Sequence, residues 1–429
     1  QLEDFQKKLW LKKKFVVSSH YCITLDRILS IGGAIIDKEE RDKALAVKDQ
    51  LIAGILANKQ QWAQWKHLGV WDGDAPGTME ALNAAPYRMV DTSLFDRSLQ
   101  QKFLSCIDEL DSKSDGLLIH GDNFQALRLI SIKERNQIQS VYIDPPYNTN
   151  ASAIIYKNGF KDSSWLSLIE NRLSASKAML TSSSVVCVAI DDVEAANLKL
   201  CLSQIFHEIL GVASVRSNPS GRSTPKGFAE AHEYAFFVAA GADASVGRLP
   251  RNEKQVARYS EQDELGRFEW VNFRKHGGVE ATRAARPKMY YPIYAKEGKV
   301  RLPKMEWSDD KNSWIVLESH LPDEEIVWPH SDSGDKLRWK WGKDSFLAEI
   351  THFKSRPDQA GKTGVYMKSR MSDDGMLPVT WWEKKDYSAT EYGTNLLTKM
   401  FGKIADFSFP KALRLVIDSL MAAKLGPND

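Results

Sequence analysis

Cysteine is sparse in this sequence. The four cysteines are too widely separated for the short spacings of a zinc site or a disulfide framework, and they stand at Cys22, Cys106, Cys187 and Cys201. We interpret them as reduced thiols, which persist in the cytosol and are uncommon in secreted proteins. The sequence therefore predicts a cytoplasmic protein without a metal site.

Long apolar runs are also missing. No stretch approaches the roughly 18 apolar residues that a transmembrane helix needs, and no signal peptide is visible. A phosphate-binding loop of the G-x-x-x-x-G-K-[ST] type does not occur. These absences argue against a membrane protein and leave little support for an unrelated nucleotide-binding α/β protein.

The net charge is close to zero. The 429 residues carry 58 Lys and Arg against 56 Asp and Glu, a formal charge of +2. Any basic surface for a polyanion must therefore be local rather than global. The length is sufficient for two or three domains with a sizeable core.

The stretch Ser140–Thr149 joins a short apolar run to an acid, two prolines and a tyrosine. The apolar run predicts a buried strand, and the prolines must end it because they cannot donate to a sheet ladder. Asp144 and Tyr147 then lie at the strand's carboxyl end, where open α/β sheets bind ligands. Asp144 and nearby carbonyls can accept hydrogens from an exocyclic amine, and Tyr147 offers a flat face for an unstacked base. The alternative is a plain Pro-Pro turn with an incidental acid.

A second strand-to-acid turn occupies Gly116–Asn123. Leu117–His120 predicts a strand, Gly121 a sharp exit, and Phe124–Ile130 a helix. Asp122 stands where helix N-caps are favoured, so a capping role alone would explain it. The later chain alternates between predicted helices at 165–180 and 193–206 and predicted strands at 184–190, 209–216 and 232–238. This alternation predicts an α/β fold with a mostly parallel, doubly wound sheet.

The hexapeptide Asp144–Thr149 resembles the catalytic motif of amino-methyltransferases that act on DNA. Nearly the whole chain resembles the modification (Mod) subunits of type III restriction-modification systems, which are beta-class adenine-N6 methyltransferases. The resemblance implies a Rossmann-like sheet and methyl transfer from S-adenosylmethionine to the N6 amine of a flipped adenine. It assigns catalysis to Asp144, Pro145, Pro146 and Tyr147, and contact with the cofactor to Asp144, Asp122 and Asn123.

The segment Phe407–Lys411 precedes an apolar helix predicted at 412–421. It resembles the family's motif beside the methionine end of the cofactor, which implicates Phe407, Phe409, Pro410 and Lys411. The family's Phe-x-Gly-x-Gly turn, whose glycines let backbone approach the cofactor, does not occur in the 429 residues. We therefore expect a trimmed chain with an incomplete sheet beside Leu117–His120, and weak cofactor binding by the chain alone.

The basic residues are concentrated in Arg267–Lys304, which carries ten Lys and Arg against three Glu, with interleaved aromatic residues. Such a stretch suits nucleic acid, because the cations neutralise phosphates and the rings stack on bases. The alternative is a β-rich domain with ordinary charged faces and a tryptophan core. A polar loop at 218–227 is either a solvated hairpin or a mobile DNA contact. The candidate DNA-binding residues are Arg222, Lys226, Arg274, Lys275, Arg283, Arg286 and Lys288.

We predict four segments along the chain. They are a helical N-terminal region at 1–115, a methyltransferase α/β domain at 116–241, an α+β or β-rich target-recognition domain at 242–400, and a return to the methyltransferase domain at 401–429. The lysine-rich first 15 residues form either a solvated amphipathic helix or a basic arm on DNA. The implied partners are double-stranded DNA, a second copy of the chain, and a restriction (helicase/nuclease) subunit.

Two alternatives to this function remain open. A cytosine-N4 methyltransferase would share the chemistry, but those enzymes more often carry serine where Asp144 stands. A DNA-recognition fragment without catalysis would be consistent with the missing glycine turn.

Overall fold

The computed structural model describes residues 16, 18–73, 77–110, 112–149, 161–223, 226–358, 360–402 and 409–424. The chain divides into two compact units, one comprising residues 1–249 and 377–429 and the other residues 250–376. The second unit is shorter at both ends than the predicted segment 242–400. Among the described residues, no helix has the length and apolar character needed to span a membrane.

Both units combine strands with α-helices. The strands are, in chain order, β1 (Cys22–Thr24), β2 (Met89–Asp91), β3 (Ile138–Ile143), β4 (Leu180–Ile190), β5 (Glu208–Val215), β6 (Glu233–Ala239), β7 (Glu261–Asp263), β8 (Gly266–Asn272), β9 (Ile293–Lys296), β10 (Lys299–Arg301), β11 (Met305–Ser308), β12 (Ser313–Val316), β13 (Glu325–Val327), β14 (Phe353–Pro357), β15 (Thr363–Arg370) and β16 (Trp381–Trp382). The α-helices are α1 (Leu25–Leu29), α2 (Lys38–Ala57), α3 (Lys59–His67), α4 (Met79–Asn83), α5 (Arg97–Ser105), α6 (Asn123–Ile130), α7 (Lys161–Ser176), α8 (Ala195–Ile205), α9 (Glu253–Ala257), α10 (Lys343–Ala348), α11 (Asn395–Phe401) and α12 (Leu413–Ala422).

The N-terminal region is mainly helical but also contains a small antiparallel ladder of β1 and β2. Two helices follow each other here, α2 and α3, because Asn58 accepts hydrogen bonds from the backbone N–H of Gln60 and Gln61 and starts a new helix. Trp62 and Trp65 are buried in the core of this region and meet edge to face, with ring centroids 4.9 Å apart. The lysine-rich first 15 residues lie outside the described part of the chain.

The main sheet has the strand order β16-β5-β6-β4-β3. Four of its strands point the same way, and β6 runs antiparallel to both of its neighbours. Alternate residues of β4 enter different cores: Val186 and Val188 pack with α7 and α8, whereas Val185 and Cys187 pack with α12. Helices therefore cover both faces, and the predicted doubly wound α/β sheet is confirmed.

The strand predicted at Leu117–His120 is wrong. This segment forms no strand, and the side chains of Leu117 and Leu118 are 72% and 96% exposed. Within the described residues, β3 pairs with β4 on one side and with no strand on the other. A strand needs a neighbour for its N–H and C=O groups, so the segment has nothing on which to form.

The second unit is β-rich. Its strands form three small sheets, with orders β10-β9-β13, β11-β12 and β14-β15-β8-β7. Its core is aromatic: Phe273 stacks on Trp339 with ring centroids 5.1 Å apart, and both side chains are buried. Several aromatic residues of the basic stretch are therefore core residues and not platforms for bases, namely Phe268, Phe273, Tyr291 and Tyr294.

Two tryptophans assigned to the β-rich domain belong to the first unit instead. Trp381 and Trp382 form β16, which pairs in parallel with the end of β5. Trp382 is buried against Phe237 and Tyr387 in the core on the α12 face of the sheet. The correction follows from the return of the chain to the main sheet at residue 377, earlier than predicted.

Candidate active site

The Asp-Pro-Pro-Tyr turn leaves the sheet directly after β3, at the carboxyl edge of the four like-directed strands. The carbonyl of Pro146 accepts a hydrogen bond of 2.7 Å from the indole N–H of the buried Trp165. Asn148 is 1% exposed and has a left-handed backbone with φ of 61°. Its amide donates to the carboxylate of Glu194, which is fully buried and also accepts 2.8 Å from Asn197. The turn is therefore fixed from both α7 and α8.

Four side chains meet at this edge. The hydroxyl of Tyr147 donates to Oε2 of Glu233 at 2.9 Å, and Nζ of Lys411 donates to the same oxygen at 2.6 Å. Lys411 also donates to the hydroxyl of Tyr147, and its Nζ lies 3.5 Å from Oδ1 of Asp144. The same ammonium is 4.4 Å from the centroid of the Tyr147 ring. We call these four residues, Asp144, Tyr147, Glu233 and Lys411, the acid–lysine cluster.

Burial dominates the electrostatics of the acid–lysine cluster. It raises the pKa of Asp144, an effect that Lys411 opposes and that the nearby Glu233 reinforces. Burial also raises the pKa of Tyr147 far above its ordinary value, with Glu233 and Asp144 adding to the shift. Tyr147 therefore stays a neutral phenol. Two carboxylates and one ammonium leave the cluster with a formal charge of −1.

Glu233 was missed by the sequence reasoning, which assigned it only to a strand. Because β6 runs antiparallel, its first residue lies beside the last residue of β5, and Glu233 pairs in register with Val215. The amino end of β6 thus reaches the edge where the parallel strands end. An acid at the first position of an otherwise apolar, buried strand was the signal available in the sequence.

The residues predicted to contact a cofactor lie in two segments of the chain. Asp122 accepts hydrogen bonds of 3.1 and 3.3 Å from the N–H groups of Phe124 and Gln125, so it is an N-cap, and it keeps 58% of its side chain exposed. Arg172 donates to the side chain of Asn123 at 3.0 Å and lies 3.6 Å from Asp122. The helix cap is confirmed, and cofactor contact by Asp122 and Asn123 stays a prediction.

The second segment with predicted cofactor contacts directly precedes α12. Phe409 is 71% exposed with φ of 58°, Pro410 is buried, and Phe407 lies outside the described residues. Gly393 fits closely against this segment, since a Cβ there would lie 2.7 Å from the carbonyl oxygen of Pro410. The backbone that carries Lys411 is therefore held in place.

Several polar atoms near this edge have no partner among the described residues. They are Oδ1 of Asn148, the hydroxyl of Tyr142 and Oε1 of Glu233, and the hydroxyl of Ser140, earlier in β3, is likewise buried and unpaired. Tyr142 lies close enough to Asp144 and Glu233 for their charges to raise its pKa, which burial raises further. Buried polar atoms are usually hydrogen-bonded, so these atoms fit a polar ligand such as S-adenosylmethionine or the amine of a base. The glycine turn expected to hold the rest of that cofactor is absent from the sequence.

The polar loop after β5 has hairpin character. Arg222 and Glu230 form an antiparallel bridge and an ion pair between their side chains, whereas Lys226 is exposed. Arg222 is thus paired with the carboxylate of Glu230, which is consistent with the solvated-hairpin alternative. A DNA contact by either residue stays a prediction.

The candidate DNA-binding residues of the second unit differ in whether they already make hydrogen bonds within the protein. Arg274 is largely buried and donates to the carbonyl of His330, and Arg283 donates 2.9 Å to the carbonyl of Asn312. Three others are exposed, namely Lys275, Arg286 and Lys288. Burial lowers the pKa of His276, and the neighbouring cations Arg274 and Lys340 lower it further. Positive charge is therefore concentrated locally in this part of a nearly neutral protein.

A family model described as DNA methylase matches residues 138–374, more than half of the chain, and the chain belongs to this family. The Mod subunit of the type III restriction-modification enzyme EcoPI from Escherichia phage P1 is 28% identical over 350 residues, which cover 72% of this chain and 52% of that protein. The type II methyltransferase M.KpnI from Klebsiella pneumoniae is 29% identical over 326 residues, covering 73% of this chain and 72% of that protein. The predicted resemblance to adenine-N6 Mod methyltransferases is confirmed.

The chain spans about half the length of the EcoPI Mod subunit. Among solved structures, the complex of M1.HpyAVI with SAM is 14% identical with a TM-score of 0.24, and the match covers 32% of this chain and 60% of that one.

Proposed function

We propose that the protein transfers the methyl group of S-adenosylmethionine to the N6 amine of an adenine in DNA, as the modification component of a restriction-modification system. The observation that carries this proposal is the rigid Asp-Pro-Pro-Tyr turn at the carboxyl edge of the sheet, in a chain that belongs to a DNA methylase family. A turn fixed from two helices suits a reaction in which positioning is the main requirement.

Each residue of the turn has a defined task in this proposal. A carboxylate oxygen of Asp144 and the carbonyl oxygen of Pro145 accept hydrogen bonds from the two N–H groups of the amine. These hydrogen bonds orient the lone pair of the amine nitrogen. The ring of Tyr147, immobilised through its hydroxyl, provides the face on which the flipped adenine lies. Pro146 keeps the turn rigid, since its own φ is fixed and its carbonyl is bound by Trp165.

Bound S-adenosylmethionine supplies an electrophilic methyl group on a positively charged sulfur. The acid–lysine cluster carries a formal charge of −1, which stabilises positive charge as it develops on the amine nitrogen. The chain's own residues provide acceptors and charge, and no metal is needed for this transfer.

The remaining parts of the proposal concern DNA and protein partners. We propose that Lys275, Arg286 and Lys288, which are exposed, neutralise phosphates of double-stranded DNA. We further propose a restriction subunit and a second copy of the chain as partners in the cytoplasm, since a curated relative is named a type III Mod subunit.

The test uses the longest natural form of the protein, mixed-sequence duplex DNA and S-adenosylmethionine labelled in the methyl group. The DNA is then digested to nucleosides. The proposal predicts label in N6-methyl-2′-deoxyadenosine. Label in N4-methylcytosine would replace it with the cytosine alternative, and absence of label despite binding of both substrates would contradict methyl transfer altogether.

A further inference from the structure

We propose that Lys411, anchored by Glu233, is a positioning residue that keeps Asp144 in its carboxylate form. The inference rests on the proposed function for its purpose, since an ionised Asp144 is the form that accepts amine hydrogens. The effect of Lys411 on the ionisation of Asp144 can be measured without any methyl transfer.

The geometry around the ammonium supports this role. An ammonium has three hydrogens, and Lys411 meets three oxygens: Oε2 of Glu233 at 2.6 Å, Oδ1 of Asp144 at 3.5 Å, and the hydroxyl of Tyr147. The shortest carboxylate contact is to Glu233, which is 7% exposed and sits at the rigid start of β6. Glu233 therefore fixes the ammonium, and Asp144 experiences its charge from a set position.

The backbone at Lys411 and at the residue that follows it is also constrained. A Cβ on Gly393 would lie 3.0 Å from the carbonyl of Lys411, and the adjoining Ala412 is fully buried in the core against α12. The side chain of Lys411 is only 14% exposed. A charge held in such a poorly hydrated position acts more strongly on its neighbours than a surface lysine does.

The other surroundings of Asp144 disfavour its ionisation, although its side chain is 36% exposed to solvent. Burial and the charge of Glu233 from β6 both raise the pKa of Asp144, while the hydroxyl of Tyr147 lowers it slightly. Tyr142 from β3 stays neutral, and burial raises the pKa of Cys187 from β4 to about 12. Of the described groups that face Asp144, Lys411 is the cation. A protonated Asp144 would keep only part of its acceptor capacity and would present an O–H donor that competes for the amine lone pair.

The decisive experiment follows the carboxyl carbon of Asp144 by NMR in the full chain with labelled aspartate, over a pH titration. An Asp144→Asn variant identifies the resonance. We expect the titration midpoint to move to higher pH in Lys411→Met and to stay near the native value in Lys411→Arg. Lys177→Met is the matched control, because that lysine donates to the carbonyl of Ile205, at the opposite edge of the sheet from Asp144.

An unmoved midpoint in folded Lys411→Met, or an equal shift in the control, would overturn the inference. If the Met variant does not fold, Lys411→Gln takes its place with the same criteria. The acid limb of the pH–rate profile for methyl transfer should shift in the same direction. A shifted midpoint in a protein that transfers no methyl would overturn the proposed function and leave this inference standing.

Discussion

At the scale of single residues, Tyr147 combines a stacking surface with a structural hydrogen bond. Its ring packs beside the core formed with α7 and α8 and has Nζ of Lys411 4.4 Å from its centroid, and we propose that it also stacks on a base. Its hydroxyl ties the turn to Glu233 and Lys411. Stacking of a base on an aromatic ring contributes about 1–3 kcal/mol, and a hydrogen bond to a charged group contributes about 1.5–3 kcal/mol. Tyr147→Ala loses both contributions, whereas Tyr147→Phe loses only the hydrogen bonds to Glu233 and Lys411.

We predict that Tyr147→Ala lowers the rate of methyl transfer more than Tyr147→Phe does. The expected difference is roughly 5- to 150-fold, the factor that corresponds to about 1–3 kcal/mol. Steady-state transfer with labelled cofactor measures it. Equal loss in the two variants would show that the hydroxyl, through Glu233, is the important group.

The residues of this site were predictable to different degrees. Asp144 and Tyr147 could be placed from sequence because prolines end a strand and the end of a parallel strand is a ligand-binding edge. Glu233 could not, because its position depends on β6 running antiparallel to its neighbours, which the alternation of helices and strands does not reveal. The ion pair of Lys411 with Glu233 spans 178 residues and is equally invisible to local patterns.

At the scale of elements, the catalytic turn depends on α8. Glu194, which precedes this helix, is a fully buried carboxylate held by the amides of Asn148 and Asn197. It holds Asn148 in a left-handed conformation that most residues avoid. The helix and the turn should therefore loosen together when the carboxylate is removed.

We predict that Glu194→Ala increases amide hydrogen exchange in peptides covering residues 138–149, with a loss of about 1–3 kcal/mol of local stability because buried amides lose their acceptor. Glu194→Gln is the matched variant, since it keeps an acceptor for Asn148 and should lose less. Mass spectrometry of the exchanged peptides compares the two. Unchanged exchange in the alanine variant would mean that Trp165 alone fixes the turn.

The sheet shows where element prediction succeeds and where it fails. β3 and β4 were predictable because apolar runs bounded by an acid and by prolines allow few alternatives. The expected burial holds for β4 but not for β3, which ends the described sheet and is only partly buried. Leu117–His120 has the same apolar character, yet it forms no strand because no described segment pairs beside it. Composition reports the preference of a segment for a strand, whereas hydrogen-bond partners decide whether the strand forms.

At the scale of the whole molecule, the charge distribution matters more than the total. A net charge of +2 conceals local positive charge in the second unit, where burial lowers the pKa of His276 and the nearby Arg274 and Lys340 lower it further. The aromatic residues of that unit could not be divided into core and surface from sequence alone. Both roles use the same residue types, and only the packing around Phe273 separates them.

We predict that neutralising Arg283, Arg286 and Lys288 together weakens DNA binding and flattens its salt dependence. Each lost phosphate contact should reduce the slope of log affinity against log salt by roughly one. Lys254→Gln, an exposed lysine of the same unit outside the basic stretch, serves as the control. Titrations at several salt concentrations give the slopes, and an unchanged slope in the folded triple variant would return these residues to an ordinary solvated face.

The measurement that bears most directly on the catalytic role of the turn compares the native protein with its Asp144→Ala variant, in both methyl transfer and DNA affinity. The longest natural form of the protein is incubated with labelled S-adenosylmethionine and duplex DNA, and DNA binding is titrated in parallel. We expect transfer to fall by about 100-fold or more, because the amine loses the acceptor that orients it, while DNA affinity stays within about twofold because phosphate contacts lie elsewhere. Transfer at a near-native rate by the variant would contradict the assignment of the Asp-Pro-Pro-Tyr turn as the catalytic site.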